Sequence, residues 1–502
     1  MRKLLTLSTA VLAASTGFAQ QKPNIVFILA DDLGYGDISA FNPESKIQTP
    51  NIDNLTRCGV TFTDAHASSA LSTPSRYGIM TGRYAWRTEF KEGVLGGYSG
   101  PMIKEGRRTI ANMLSDCGYN TACIGKWHLG WDWTMLPDAK NEKDVDFTQP
   151  FKNGPMDRGF DYHFGIPASL DIAPYVYVEN NRVTALPDHE IAPDKGLNLM
   201  HGGVAGADFE PVECLGKITE HCISYINSQK GSDKPFFVYM PITAPHTPVL
   251  PTEEFQGKTP IGAYGDFVVM IDDVVRQVVG ALRENGQLEN TIVVFTSDNG
   301  CAPYVDVKGL EKQGHYPSYI YRGYKSDIYE GGHRIPLIVS WEGHLKGRDN
   351  SSLVSLIDFY ATFAEMTGAK LAADEAEDSF SLWPILTGKK KSVRKDMIYQ
   401  SGKGFLAYRT DEYKLVFHGG SGGWSYPSSK KDLKDKPAMQ LFNLDKDVAE
   451  KRNMIKNKNN DELVEEFTRE IIKDVKNGRS TPGKKVKNDT ENCWKQIEIF
   501  MK

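Results

Sequence analysis

The chain has 502 residues and a formal net charge of −5, with 40% hydrophobic and 25% charged residues. This length allows one large domain and a smaller one, and the composition is that of an ordinary globular protein. The acidic balance gives no general attraction to nucleic acid, so an anionic substrate would need a local cationic pocket.

The N-terminal segment has the features of a secretory signal peptide. Arg2 and Lys3 precede an apolar run, residues 4–14, that is too short to span a membrane, and Ala19 ends a small-residue cleavage site. We therefore expect residues 1–19 to be removed and the protein to be secreted, with the periplasm as the expected compartment. No later stretch is long and apolar enough for a membrane span.

The first apolar run, residues 24–30, predicts a strand buried on both faces, and Asp31 and Asp32 follow it directly. Two adjacent carboxylates repel each other, and a divalent cation would relieve that repulsion. Asp298 and Asn299 follow another apolar run and would complete the site. Oxygen ligands without histidine favour Ca²⁺ or Mg²⁺ over Zn²⁺. Each pair taken alone could equally be a turn.

A hydroxyl-rich motif comes next in the chain and reads Ser72-Thr73-Pro74-Ser75-Arg76. It brings hydroxyls, a rigid proline and a guanidinium together within five residues. The residues after it, 77–80, can form a helix that carries these groups. A serine in such a place is a candidate nucleophile.

Three later segments add cations and imidazoles. Lys126 and His128 are two residues apart, so an extended chain would place both side chains on one face. His246 lies between two prolines, and Lys325 precedes a predicted strand. Each of these residues alone would be read as structural or solvated.

Strands alternate with helices along most of the chain. Apolar runs at 236–240, 291–295 and 336–340 predict buried strands, while 109–117 and 267–282 have helical periodicity. The alternation predicts an α/β fold with a large, mostly parallel or mixed sheet flanked by helices.

Two regions depart from this alternation. Residues 141–206 have no persistent period, and we expect long loops over one end of the sheet, where ligands bind in such folds. Runs at 413–417 and 440–444 and an amphipathic stretch at 463–475 predict a small α+β unit. The expected divisions are a signal peptide at 1–19, a catalytic domain at 20–390 and an α+β subdomain at 391–502.

Seven cysteines occur, without any C-x-x-C pair. Export permits disulfides, and Cys214 with Cys222 is a candidate local pair. Buried free thiols are the alternative.

Together and in this order, these motifs resemble the sulfatase family from residue 23 into the C-terminal region. The most specific part runs from Ser72 through Thr81-Gly82-Arg83. The resemblance implies an alkaline-phosphatase-like fold, a smaller domain with an antiparallel sheet, and hydrolysis of sulfate esters. It also implies that a formylglycine-generating maturase oxidises residue 72 to formylglycine, which becomes the nucleophile.

The same resemblance assigns roles to the candidate residues. The metal would be Ca²⁺ ahead of Mg²⁺, with ligands from Asp31, Asp32, Ser72, Asp298 and Asn299. The residues that position formylglycine or contact the sulfate would be Arg76, Lys126, His128, His246 and Lys325. Of these, His246 is the candidate acid that protonates the leaving oxygen.

Ser72 stands where many members of the family have cysteine. Either the protein is of the serine type, matured anaerobically in exported bacterial enzymes, or the serine replaces a cysteine. With Ser72 unmodified, the pocket would bind sulfated glycan without cleaving it. A phosphatase or phosphodiesterase of the same superfamily is a further alternative, and it would need a denser set of Asp and His ligands.

A secreted enzyme of this kind meets sulfated oligosaccharides and polysaccharides. Aromatic, acidic and imidazole side chains suit a sugar ring, and the candidate sugar-binding residues are Asp171, His201, His315 and Arg322. The segments around His315 and Arg322 resemble sulfatases of the arylsulfatase A and N-acetylgalactosamine-6-sulfatase type. That resemblance implies exo-action on a galactose or N-acetylgalactosamine sulfate, with position 6 preferred.

Overall fold

The computed structural model describes residues 22–490 and 494–500. The expected signal peptide, residues 1–19, lies outside the described residues. Within the described ranges, every helix is too short or too polar to cross a bilayer.

The strands and helices are numbered in chain order. The strands are β1 (Asn24–Asp31), β2 (Gly59–Phe62), β3 (Ala65–His66), β4 (Asn120–Lys126), β5 (Tyr162–Ile166), β6 (Val178–Glu179), β7 (Arg182–Val183), β8 (Pro187–Ile191), β9 (Gly203–Gly206), β10 (Phe236–Pro245), β11 (Thr291–Ser297), β12 (Leu337–Ser340), β13 (Arg348–Asn350), β14 (Val354–Ser355), β15 (Asp396–Gln400), β16 (Leu406–Thr410), β17 (Tyr413–Val416) and β18 (Gln440–Asn443). The helices are α1 (Pro50–Leu55), α2 (Ser72–Thr81), α3 (Ile110–Asp116), α4 (Cys214–Ser228), α5 (Ala263–Glu284), α6 (Val307–Lys312), α7 (Glu330–His333), α8 (Phe359–Thr367), α9 (Trp383–Leu386), α10 (Lys430–Leu433), α11 (Asp461–Asn477) and α12 (Lys495–Glu498).

A ten-stranded mixed sheet runs through the larger part of the molecule, in the order β13-β2-β12-β11-β1-β10-β4-β5-β6-β7. Its centre is parallel, because β1 pairs in parallel with both β10 and β11, and β4 pairs in parallel with β10 and β5. On one side, β12 pairs antiparallel with both β11 and β2. The predicted strands and the predicted α/β class are confirmed.

Helices cover both faces of this sheet, because successive residues of β1 pack into two different apolar clusters. Val26 and Ile28 pack into a core formed with α4 and α5. Ile25 and Phe27 point to the opposite face and pack with α2, α3 and α8. Successive strand residues face opposite ways, so a strand covered on both sides must be apolar throughout.

The C-terminal part forms a second, four-stranded antiparallel sheet in the order β15-β16-β17-β18. Helix α11 packs on it through Phe467, Ile471 and Val475. Tyr84 and Trp86, just after α2, join the same apolar cluster and tie this sheet to the larger part. The boundary at residue 391 stays a prediction.

Two expectations need correction. The region 141–206 contains β5, which extends the main sheet, and His163 and Gly165 had hidden this strand by breaking its apolar run. Cys214 and Cys222 are free and buried in one helix, α4. Eight residues of helix separate them by about 12 Å, too far for a disulfide.

Candidate active site

The two acidic pairs meet because β1 and β11 are parallel neighbours whose carboxyl ends coincide. Ala30 pairs with Ser297, so the next residues of each strand emerge side by side. The amide of Asp32 donates to Asp298 Oδ1 at 3.2 Å, and Asn299 Nδ2 donates to Asp32 Oδ1 at 2.7 Å. One carboxylate oxygen from each of Asp31, Asp32 and Asp298 lies within 4.8 Å of the other two.

Ser72 lies against this acidic cluster as the first residue of α2. Its hydroxyl donates to Asp298 Oδ2 at 2.6 Å and lies 3.2 Å from Asp31 Oδ1. The side chain is buried, with 1% of the residue exposed. The start of α2 also gives this position the positive end of a helix dipole, which favours negative charge there.

Three cations surround the same carboxylates. Arg76, one helical turn after Ser72, donates to Asp298 Oδ2 at 2.7 Å. Lys126, the last residue of β4, lies 2.7 Å from Asp31, and Lys325 Nζ lies 2.8 Å from Asp32 Oδ2. The cluster therefore balances three carboxylates with three basic side chains.

Burial and these ion pairs set the protonation states. Burial alone would raise the pKa of Asp31, but Lys126, His246 and Arg76 outweigh it and hold the pKa below its usual value. Burial would lower the pKa of Lys325, yet the neighbouring Asp32 raises it well above its ordinary value. Lys325 is thus a permanent cation at neutral pH.

The surroundings of the two candidate histidines, His128 and His246, differ. Burial, and then Lys126, lower the pKa of His128 far below its ordinary value, so this imidazole is neutral, and its Nε2 is 2.8 Å from the Leu95 carbonyl oxygen. The chain turns at His128, where φ is 56°, so residues 126–128 are not extended throughout. His246 Nδ1 lies 2.6 Å from the Thr247 carbonyl oxygen, so the other ring nitrogen, Nε2, points away from that carbonyl.

A pocket of about 290 Å³ opens onto this cluster. Ser72, His128, His246 and Lys325 all line it. Arg76 and Lys126 lie beneath its wall and are fully buried. The structure therefore brings together every residue that the sequence analysis proposed for metal and sulfate.

The four candidate sugar-binding residues divide into two pairs. Asp171 and His201 line the pocket, and their side chains are 3.3 Å apart. His315 is fully buried away from it, with Nε2 2.8 Å from Asp37 Oδ1, and so has a structural position. Arg322 lies in a neighbouring depression rather than in the pocket.

Sequence reasoning missed several residues of the pocket, among them Tyr304, Ser169 and Trp424. The hydroxyl of Tyr304 lies 3.2 Å from His246 Nε2 and donates to Asp32 Oδ2 at 3.3 Å. Ser169 Oγ lies 3.3 Å from Lys126 Nζ. Trp424, from the C-terminal sheet's long loop, lines the pocket as well. None of them belongs to a local motif, since each reaches the pocket only through tertiary packing.

Residues 23–369 match the family described as Sulfatase. The chain belongs to the sulfatase family. Residues 323–477 of this sulfatase also match the family described as N-sulphoglucosamine sulphohydrolase, C-terminal. The predicted resemblance is thereby confirmed over most of the chain.

The most informative relatives share the full architecture. This sulfatase is 34% identical to an N-acetylgalactosamine-6-O-sulfatase of Bacteroides thetaiotaomicron, over 94% of its own chain and 97% of the relative. A solved structure concerned with the metabolism of multiple glycosaminoglycans by the same organism matches with a TM-score of 0.79 and 33% identity, covering 90% of this chain and 98% of that one. The structure of Ps i-CgsB with k-i-k-neocarrahexaose matches at TM-score 0.67 and 26% identity, covering 90% and 92%.

Proposed function

We propose that this sulfatase hydrolyses sulfate esters on a sulfated carbohydrate, acting from a chain end on 6-sulfated N-acetylgalactosamine or galactose. One observation carries the proposal: Ser72 lies at the wall of a pocket in contact with Asp31, Asp298 and Lys126, within a cluster of three carboxylates and three basic side chains. A sulfate ester is an anion, so attack on it requires buried positive charge, which the basic side chains and a bound divalent cation would supply. The names of the two Bacteroides relatives support a 6-sulfated amino sugar of glycosaminoglycans.

The acidic cluster fits a hard cation, and we assign it to Ca²⁺ ahead of Mg²⁺. Asp31, Asp32, Asp298 and Asn299 would hold the ion together with residue 72. Asn299 Oδ1 is buried and accepts no hydrogen bond, so it is an oxygen available to a cation. When bound, the ion supplies positive charge that polarises the sulfate ester.

Ser72 is, in this proposal, the precursor of formylglycine. A maturase would oxidise its hydroxymethyl group to an aldehyde and pass the two electrons and two protons to an electron acceptor of its own, and the hydrate of that aldehyde would supply the nucleophilic hydroxyl. The contact of Ser72 Oγ with Asp298 fixes the position of that group. Lys126 Nζ, 3.3 Å from the same oxygen, is placed to favour its ionised form.

The remaining residues bind the sulfate or serve the leaving group. Arg76 holds Asp298 and Lys126 holds Asp31, so both keep the acidic cluster in place while adding positive charge. His128 offers a neutral hydrogen-bonding group, and Lys325 a permanent charge. His246 is the proposed acid that protonates the departing sugar oxygen.

Asp171 and His201 are the proposed sugar contacts. Asp171 Oδ1 is buried and accepts no hydrogen bond, although the residue lines the pocket. Such an oxygen suits a sugar hydroxyl donor. His201 is more exposed, and its Nε2 lies 3.3 Å from the other oxygen of the same carboxylate, Asp171 Oδ2.

Export to the periplasm and encounter with a maturase complete the proposal. Both rest on the N-terminal signal at 1–19 and on the serine at position 72. Polymeric sulfated glycans are extracellular substrates that such a location would reach.

The test is sulfate release by protein produced anaerobically with a serine-type maturase. N-Acetylgalactosamine 6-sulfate and galactose 6-sulfate should release sulfate, whereas Ser72→Ala should release none. A matched phosphate ester tests the phosphatase alternative. Faster turnover of the phosphate, or activity that survives Ser72→Ala, would overturn the proposal.

A further inference from the structure

Two exposed aromatic side chains lie at and beside the mouth of the active-site pocket. Trp424 is 47% exposed and lines the pocket, and Tyr426, two residues later, is 67% exposed. Lys436 Nζ lies 5.7 Å from the centroid of the Tyr426 ring and adds positive charge beside it. The faces of both aromatic rings are apolar and suit the carbon–hydrogen face of a sugar ring.

The loop that carries Trp424 is fixed to the segment that carries Lys325. The amides of Trp424 and Ser425 both donate to Asp327 Oδ1 at 3.0 Å. A Cβ atom at Gly423 would lie 2.3 Å from the Ser326 carbonyl oxygen, so glycine is required for this approach. The backbone that carries the indole is therefore held in place before any ligand binds, which lowers the entropy cost of binding.

The indole lies on the side of the pocket where the sugar must depart. Its ring centroid is 5.9 Å from that of Tyr304. The Tyr304 hydroxyl lies 3.2 Å from His246 Nε2 and accepts a hydrogen bond from Lys325 Nζ at 3.1 Å. His246 is the proposed acid for the departing sugar oxygen, so Trp424 lies on the sugar side of the pocket rather than at the sulfate.

A second depression lies beside the loop that carries Trp424, and the next two residues of that loop, Ser425 and Tyr426, line it. It measures about 440 Å³ and is lined by Tyr426, Arg322 and Lys451. Arg322 is itself fixed, since its guanidinium donates to the Glu450 carbonyl at 2.7 Å and lies 3.8 Å over the Tyr329 ring. Two basic side chains beside an exposed aromatic ring suit a sugar that bears a carboxylate or a second sulfate.

We propose that Trp424, Tyr426, Arg322 and Lys451 form a binding track for the sugars that follow the sulfated one in an anionic oligosaccharide. This inference rests on the proposed function and deepens it: the preferred substrate is a chain with negative charge on the neighbouring sugars rather than a free monosaccharide. Trp424 contacts the sugar directly after the sulfated one, and Tyr426 with the two cations contacts the units beyond it.

Binding can be measured without turnover, on full-length protein in which Ser72 is unmodified. The probes are N-acetylgalactosamine 6-sulfate and a chondroitin 6-sulfate pentasaccharide that begins with this sugar, titrated by calorimetry. The wild-type protein should bind the pentasaccharide at least about tenfold more tightly than the monosaccharide. Trp424→Ala and Tyr426→Ala should each reduce that ratio several-fold to about tenfold.

Tyr316→Ala is the matched control, because Tyr316 is 46% exposed but lines neither depression. It should leave the ratio as in the wild type. Trp424→Phe should restore most of the ratio lost in Trp424→Ala, which separates stacking from misfolding.

The track is refuted if the wild-type ratio is close to one, or if the ratio survives both alanine substitutions. Failure of the wild-type protein to bind either probe would instead contradict the proposed function and remove the basis of the track with it. Loss of the ratio in Tyr316→Ala would also count against the assignment, because the effect would not be local.

Discussion

Replacing His246 by alanine should slow the hydrolysis of a sugar sulfate far more than that of an aryl sulfate. His246 Nδ1 lies 2.6 Å from the Thr247 carbonyl oxygen and donates to it, which leaves Nε2 to carry the transferable proton. The carboxylates of Asp32 and Asp171 lie 3.5 Å and 3.9 Å from the ring nitrogens, so negative charge flanks the ring on two sides. This arrangement is suited to an acid.

The size of the effect follows from the leaving group. A positioned general acid accelerates a reaction by about 10²–10⁴-fold when the leaving oxygen is a poor one, which is about 3–5 kcal/mol of transition-state stabilisation. A sugar alkoxide is such a group. A nitrophenolate departs without a proton, so the loss on 4-nitrophenyl sulfate should stay within about tenfold.

The assay compares kcat/KM for N-acetylgalactosamine 6-sulfate and 4-nitrophenyl sulfate in wild-type and His246→Ala protein. Tyr304→Phe is the control, because it removes the hydroxyl 3.2 Å from Nε2 and keeps the imidazole. We expect it to cost no more than about tenfold on either ester. Equal losses on the two substrates in His246→Ala would refute the acid role.

Three further predictions concern stability. Burial raises the pKa of Asp474 to about 7, well above its value of 3.8 in an unfolded chain. The folded state therefore holds a proton that the unfolded state releases, and stability falls by about 4 kcal/mol as pH rises from about 4 to about 7. Asp474→Asn should raise Tm at pH 8 and change it little near pH 4. An equal Tm shift at pH 8 and pH 4 would contradict the raised pKa. Glu330→Ala should cost about 3–5 kcal/mol in thermal or denaturant unfolding, because it leaves three cations, the buried Arg409 and Lys414 and the partly buried Arg334, with only two carboxylates, Asp64 and Glu450. Glu330→Gln is the milder matched change, and a loss below about 1 kcal/mol in Glu330→Ala would show that the pairs matter little. Ca²⁺ at about 100 times its Kd should stabilise the wild-type protein by about 2.7 kcal/mol, and Mg²⁺ at the same concentration should stabilise it less. Asn299→Leu should reduce the Tm shift that Ca²⁺ causes. An unchanged Tm shift in this variant would remove Asn299 from the ligand set.

The parts of the site that the sequence predicted are those governed by local rules. Asp31 and Asp298 each follow an unbroken apolar run, and parallel neighbours bring the ends of such runs together. Ser72 and Arg76 are one helical turn apart, so one short helix presents both to the acidic cluster. Short-range geometry was sufficient for these residues.

The parts that it missed depend on packing between distant segments. Tyr304 and Trp424 are 120 positions apart in the chain, and their rings meet only because Asp327 fastens one loop to another. His315 shows the reverse error: its residue type suggested sugar binding, but its side chain is buried in a contact with Asp37. Residue type alone could not separate these cases, because the side chain's partner is set by the tertiary fold.

The mass of the tryptic peptide 58–76 from an active, anaerobically matured preparation tests the central claim most directly. This peptide lies between Arg57 and Arg76 and contains Ser72. The account predicts a peptide lighter by two hydrogens, with the change located at residue 72. A preparation that releases sulfate while this peptide carries an intact serine throughout would contradict it.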